Sequence, residues 1–502
     1  MIKALCWMAA AGLLALGAPV WAAERAPDLT LTGTLTGKDH QTYREIPFRA
    51  PAGVTRLTLR FSYTGRDQKS VIDLGLRDPS RFRGWSGGNK DTVVIEAADA
   101  TPSYLSGPIP AGTWKLVLGV PNLRMGAKAT YAARIWFDHA ADAFPGFLDK
   151  PVKAGPGWYR GDLHMHTAHS DGSCPSRRGA KVPCPVFKTL EAAEAAGLDF
   201  IAVSDHNATS QNQALRELAP YFDDLLLIPG REITTFHGHA NVWGPTGFLD
   251  FQLGSARAPD FGRIEAEVEA AHGVLSINHP GLPSGEGCMG CGWTAKDVDF
   301  SRIQAVEVVN GGALKAVGGA EGPASGLPFW EARLNAGLRI TAVGGSDNHN
   351  AALDIAADRE GVGRPATVAH AAELSQGAIL QAIRQGHVFI DVFGLRGRLL
   401  AVEARSGGAT AEMGDLLPVA AGAEVAVTVR VAGAPEGAVL ALAGDGAALA
   451  RLGDPALGAA EATKRFELTA DGRAHWLRVD VRDAKGQLLM IGNPIYLRPP
   501  RP

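Results

Sequence analysis

The sequence predicts an α/β region set between two stretches of β-structure. Three observations carry that expectation. From Leu29 to Phe137 apolar residues recur with period two. From Arg160 to Asp391 short apolar runs alternate with helical stretches. After Leu399 the period returns to two. A chain of 502 residues exceeds what one hydrophobic core organises, so several domains are expected. The boundaries read as a leader over 1–22, an N-terminal β-sandwich over 23–140, a linker over 141–157, an α/β domain over 158–395 and a small C-terminal β-domain over 396–502.

The leader comes first in the chain. Lys3 precedes the apolar run Ala4 to Leu16, and the small-residue pattern Val20-Trp21-Ala22 follows Pro19, as in a secretory signal cleaved after Ala22. The run is short for a bilayer span, so an exported, periplasmic or secreted protein is expected. Removing the leader takes Cys6 and leaves Cys174, Cys184, Cys288 and Cys291. An even count in an oxidising compartment favours disulfides, with a four-thiolate zinc site as the rival. Three pairings are open. Proximity in the chain favours Cys174–Cys184 and Cys288–Cys291. A net charge of −3, with 20% charged residues, offers no nucleic-acid or membrane-surface signature.

In the sandwich, Leu57, Leu59, Phe61 and Tyr63 alternate with polar neighbours, as do Trp114, Leu116, Leu118 and Val120. Trp85 and Trp114 are either core or a platform for a glycan. In the middle region, strands are expected at Phe200–Val203, Leu225–Ile228, Val274–Ile277, Ala305–Val309 and Ile340–Val343. Helices are expected from Pro185 to Gly197 and over Gln213–Phe222, Ile264–His272, Phe329–Ala336 and Gly377–Arg384. Such alternation implies a largely parallel sheet or a barrel. Val425, Val427, Val429 and Val431 mark a strand of the C-terminal region.

Polar clusters stand just past the expected strands of the middle region: His164, His166 and Asp171, then Asp205 and His206, then Arg231, Glu232, His237 and His239, then His279, Asn310, Asp347 and His349. In a β/α barrel the loops after the strands share one face, so these groups would converge. Imidazoles and carboxylates together suit divalent cations, and nine candidate ligands exceed what one tetrahedral ion accepts. Two or three ions of zinc, iron or manganese follow. Asp205 is expected to orient a ligand histidine through a hydrogen bond. His237 is either a ligand or a residue behind the ligands. Asn310 and Arg231 are candidate substrate contacts.

The segments DLHMHTAHSDG, FIAVSDHN, PGREIT, GHANVWG, SINHPG and GGSDNHN resemble the motif series of the PHP (polymerase and histidinol phosphatase) superfamily. The ending GVGRPATV with LSQGAILQAIRQGHVFI resembles its CehA/McbA-like branch, which includes a carbamate-insecticide hydrolase. The resemblance implies a distorted (β/α)7 barrel with a trinuclear site. It implies His164, His166, Glu232 and Asp347 at a first ion, Glu232 bridging to a second held by His239 and His279, and Asp171, His206 and His349 at a third. It implies a hydroxide bridging two ions as nucleophile, with Glu232, Asp347 and His206 central to catalysis. The function expected is an exported metal-dependent phosphoesterase acting on a small-molecule ester. A carbamate or carboxylic ester hydrolase is the alternative within hydrolases. A non-catalytic polymer-binding protein is the alternative outside them.

Overall fold

The computed structural model describes residues 25–142, 144, 146–317, 320–352, 361–458 and 461–500. The expected leader over 1–22 lies outside the described residues. The protein is mixed α/β, with many strands and few helices.

Two four-stranded antiparallel sheets hold the N-terminal region. One runs Leu29–Thr36, Lys128–His139, Val54–Tyr63, Thr92–Glu96; the other runs Tyr43–Ala50, Gly112–Asn122, Val71–Arg77, Phe82–Gly87. Alternation puts Leu57, Leu59, Leu74, Leu116 and Leu118 into one shared core. Trp114 is fully buried there and donates its indole N–H to the Pro110 carbonyl at 2.9 Å. It therefore offers no surface to a glycan. Trp85 is half-buried against Tyr43.

The central strands form one continuous path. In spatial order they are Thr341–Gly345, Ala305–Asn310, Val274–Ile277, Gly238–Trp243, Leu226–Thr235, Phe200–Val203, Gly157–Asp162, Ala366–Ala371 and Val388–Asp391. The sheet is more mixed than the alternation suggests. Phe200–Val203 pairs in parallel with both of its neighbours, and Ala305–Asn310 does too. Leu226–Thr235 instead folds back on Gly238–Trp243 as an antiparallel hairpin, turning at Phe236 and His237. Gly238 makes that turn with φ 139°, a conformation that side chains disfavour. Between the ends of the path, the Gly344 N–H donates to Thr367 Oγ1 at 2.9 Å, and the Thr367 hydroxyl donates to the Gly344 carbonyl at 2.7 Å.

Helices Val186–Ala196, Gln211–Leu218, Phe261–Ala270, Leu327–Asn335 and Gln376–Gln385 fall within a few residues of the expected ones. Gly197 closes the first with φ 72°. The path continues from Val388–Asp391 into Leu488–Gly492 and His475–Arg482, so C-terminal strands extend the central sheet. A separate five-stranded sheet includes Leu399–Ser406 and Glu424–Ala432. Among the described residues, no helix is long and apolar enough to cross a membrane.

Candidate metal centre

The cluster begins at the end of the strand Gly157–Asp162. The buried Asp162 carboxylate accepts from the backbone N–H groups of His164, Ser346 and Gly363, which ties the His164 segment to the loop carrying Asp347. Burial raises that carboxyl to about 6, against the pull of the same hydrogen bonds.

The antiparallel hairpin does the next piece of positioning. Glu232 lies opposite Asn241, and Thr234 lies opposite His239. Residues paired across a ladder share a face, so Glu232, Thr234 and His239 point the same way. Arg231, the residue before Glu232 in the strand, points the other way. Its guanidinium contacts the carbonyls of Gly247 and Pro245, which corrects its expected place at the substrate. His237 sits exposed in the turn, outside every donor group described below. Glu232 itself lies within the strand rather than after it, because the strand runs on from Ile228 to Thr235.

Around Glu232 the imidazoles converge. Oε1 lies 3.3 Å from His164 Nε2, from His239 Nδ1 and from His279 Nε2, and accepts a hydrogen bond from Asn278 Nδ2 at 2.9 Å. Oε2 lies 2.8 Å from His206 Nδ1 and 3.6 Å from His166 Nε2. Asp347 Oδ1 is 3.2 Å from His164 Nε2 and 3.1 Å from His166 Nε2. At the open side, Asp171 Oδ1 lies 3.3 Å from His349 Nε2 and 3.7 Å from His206 Nε2. His166 stacks between His206 and His349, with ring centroids 4.2 and 4.1 Å away.

Several of these donor atoms approach without bonding. His164 Nε2 and Glu232 Oε2 are buried without a directed hydrogen bond, although the first has two carboxylate oxygens nearby and the second stands 2.8 Å from His206 Nδ1; the far nitrogen of His279, Nδ1, is buried without one too. Hydrogen-bonding groups left so are rare in protein interiors. Four donors around an ion at about 2.0–2.1 Å stand about 3.3 Å from one another, the edge of a tetrahedron. The spacing here matches that edge. Donor atoms lie within 4.8 Å of one another in four neighbouring groups. These are His164, His166 and Asp347; His164, Glu232 and His279; His166, Asp171, His206 and His349; and His239 with His279, beside Cys291, whose sulfur is held in a disulfide and offers no thiolate. The residues fit divalent cations.

Electrostatics follow the same geometry. Burial pulls His164 down, but Asp347, Glu307 and Glu232 together hold it well above its ordinary value. Burial pushes Glu232 and Asp347 up; the imidazoles, His164 foremost, hold both well below the usual carboxylate range. Burial drives His166 down to about 4. Exposure rises outward, from His164 and Glu232 at 0% to side-chain values of 26% at His206, 40% at His349 and 59% at Asp171.

Asp205 does not hold a ring as expected. It accepts from the backbone and hydroxyl of Thr167 and from the Ser170 hydroxyl, each at 2.7 Å, and Ser170 Oγ stands 3.4 Å from His166 Nδ1. It braces the turn rather than the imidazole. Asn310 is likewise engaged: its Nδ2 donates to Glu307 Oε2 and Asp347 Oδ2, and its Oδ1 accepts from the Ala313 N–H. Three contributors are not among the expected site residues. Thr234 contacts His206 Nδ1 at 2.6 Å, Asn278 holds Glu232, and Glu307 lies 2.9 Å from His164 Nδ1. Thr234 and Asn278 lie within the segments PGREIT and SINHPG, and Glu307 is a lone charge inside the apolar run Ala305–Asn310.

The four cysteines pair as Cys174–Cys184 and Cys288–Cys291, and each bridge closes a loop beside the cluster. The second loop covers His239, whose Nε2 lies 3.3 Å from the Met289 carbonyl.

No protein-family model and no curated protein matches the chain. Among solved structures, a two-domain protein of Bacteroides vulgatus described as containing a predicted PHP-like metal-dependent phosphoesterase is 19% identical. The match covers 70% of this chain and 100% of that one, at a TM-score of 0.35. A predicted metal-dependent phosphoesterase of Bifidobacterium adolescentis is 15% identical over 44% of this chain and 94% of its own, at a TM-score of 0.28. Likeness this low carries no argument, and the donor geometry alone bears on what the site does.

Proposed function

We propose that the protein is an exported metal-dependent hydrolase of the PHP type, with a phosphate ester as its substrate. The observation that carries the reading is the convergence of His164, His166, Asp171, His206, Glu232, His239, His279, Asp347 and His349 at the spacing of a coordination polyhedron. On this reading residues 158–395 form a distorted (β/α)7 barrel, flanked by β-domains over 23–140 and 396–502.

His164, His166, Glu232 and Asp347 would hold one ion, Glu232 with His239 and His279 a second, and Asp171, His206 and His349 a third. Bound divalent ions supply a water activated at neutral pH and positive charge against that developing on the attacked group. Six of the nine donors are imidazoles and three are carboxylates, so the donor set leaves two or three dications undercompensated, which suits an anionic ester. Glu232, reaching both subsites, fixes their separation. His206 Nε2 faces Asp171 Oδ1 at the open side, where it would ligate the third ion, while its Nδ1 stands against Glu232 Oε2 and would couple that ion to the bridging carboxylate.

A carbamate or carboxylic ester is favoured by a different observation. Phe236 and Met289, 89% and 75% exposed, flank the cover over His239, and Gly290 lies against both Phe236 and His239. An apolar group on a neutral substrate would find contacts there. Exported protein, analysed for bound metal and assayed against aryl phosphate mono- and diesters, aryl carbamates and aryl acetates, tests both readings. Metal with dominant turnover of a phosphate ester supports the first; dominant carbamate or acetate turnover replaces it. Absence of metal and of all turnover would sink the hydrolase reading.

A further inference from the structure

Glu307 sits in the middle of the cluster without belonging to any expected ligand set. It is 2% exposed. Its Oε1 faces His164 Nδ1 at 2.9 Å, while Oε2 accepts from the His279 backbone N–H and from Asn310 Nδ2, both at 3.0 Å. A β-bulge between Glu307 and Val309 shifts the register, so that Asn310 comes back to the side of Glu307. Asn310 in turn donates to Asp347 Oδ2 at 3.2 Å. One carboxylate therefore reaches three of the expected ligands: the ring of His164, the backbone of His279 and, at one remove, the side chain of Asp347.

The partners define what Glu307 must be. A backbone N–H and an amide NH2 can only donate, and Asn310 has its oxygen committed to Ala313. An acceptor is required at Oε2. At Oε1 an acceptor makes Nδ1 a protonated nitrogen of His164, which leaves Nε2, beside Glu232 Oε1 and Asp347 Oδ1 and without a hydrogen-bond partner, as the nitrogen whose lone pair a cation between them would take. An amide cannot serve both sides, because one of its ends is a donor. The surroundings are shaped for this pair. A Cβ on Gly345 would lie 2.5 Å from Glu307 Oε1 and 2.5 Å from the Cβ of His164. The backbone it grips is also unusual: His279 adopts a φ of 29°, which non-glycine residues keep only when their surroundings hold them.

We propose that Glu307 is a positioning residue, an obligate carboxylate that sets the protonated nitrogen of His164 and holds His279 and Asp347 in register for a divalent cation. This rests on the reading of the cluster as a metal centre. It acts through the ligands and touches no substrate.

The test compares wild type with Glu307→Gln and Glu307→Asp. Zinc affinity is measured by competition with a chromophoric chelator. The His164 Nδ1–H resonance is followed by proton–nitrogen NMR of chelated protein, assigned by its loss in His164→Ala. Glu307→Gln should lower zinc affinity by about 10–100-fold, the usual range for losing a group behind a metal ligand. It should also shift or erase the Nδ1–H resonance. Glu307→Asp should recover part of both, and it keeps the proposal open to test if Glu307→Gln does not fold. Zinc affinity within threefold of wild type in the glutamine variant would overturn the proposal. So would an affinity loss with the His164 resonance unmoved, because Glu307 would then be a packing residue. Wild type that binds no zinc would sink the metal reading instead, while the resonance would still report whether Glu307 governs His164.

Discussion

Substituting Glu232 by glutamine removes one charge from the point on which five imidazoles converge. The structure says where the loss falls. Asn278 Nδ2 donates to Oε1, so the glutamine carbonyl oxygen keeps that position. Its NH2 then replaces Oε2, facing His206 Nδ1 at 2.8 Å and His166 Nε2 at 3.6 Å. The subsite of His239 and His279 retains an oxygen, and the side of His166 and His206 gains a donor where it had an acceptor. A unit charge about 4 Å from another is worth about 4 kcal/mol at an effective dielectric of about 20. That corresponds to about three decades in affinity, at about 1.4 kcal/mol per decade. Glu232→Gln should therefore lose metal on dialysis, first from the His166 and His206 side, and turnover should fall by about three orders of magnitude. Elemental analysis after dialysis, with initial rates on whichever ester wild type hydrolyses, measures both. Full metal content at near-normal rate would show that Glu232 bridges nothing.

His239→Ala should deplete bound metal and cut activity at least about 100-fold, an estimate scaled from removed transition-state contacts. His237→Ala, in the exposed turn, should stay within a few fold by the same two assays. Chelation should abolish hydrolysis while circular dichroism keeps its shape, because extensive apolar cores hold the fold. Collapse of the spectrum would mean that the ions are structural. Removing the bridge with Cys174→Ser and Cys184→Ser should cost about 3 kcal/mol in denaturant unfolding, from the loop that it closes. Burial raises Glu265 to about 7, so the folded chain keeps a proton that the unfolded chain releases near 4.5. Stability from this group is full below about 4.5 and declines as pH rises to about 7. Glu265→Gln should flatten that decline in melting temperature, and an unchanged profile would refute it.

Five of the six α-helices among the described residues and most central strands were legible from local signals, such as an apolar period or, around Val186–Ala196, a proline at entry and a glycine at exit; Gly311–Val317 is not among the expected helices. The hairpin was not. Leu226–Thr235 continues past its apolar run through Pro229, Gly230, Arg231 and Glu232, residues that read as a loop, and the pairing that makes them a strand comes from Gly238–Trp243 across the turn. A strand defined by its partner has no signature of its own. Within that strand Arg231 and Glu232 are neighbours and face opposite sides, which takes Arg231 away from the cluster: consecutive loop residues can share a side, whereas consecutive strand residues cannot.

The histidines and aspartates of the cluster were legible for a different reason. On the metal-centre reading each would face a cation and has few substitutes, so each stands in the sequence as a chemically conspicuous residue. The groups that aim the donors have no such constraint on appearance. Thr234 and Asn278 use ordinary hydroxyl and amide functions, and their role exists only because the hairpin and the loop after Val274–Ile277 bring them against His206 and Glu232. Asp205 misled in the opposite direction. An acid next to a ligand histidine suggests a ring partner, yet its oxygens are consumed by Thr167 and Ser170. The carboxylate that meets His164 Nδ1 is Glu307, 143 residues from it. Sequence adjacency fixes which backbone a side chain leaves from, and the sheet decides which imidazole it reaches.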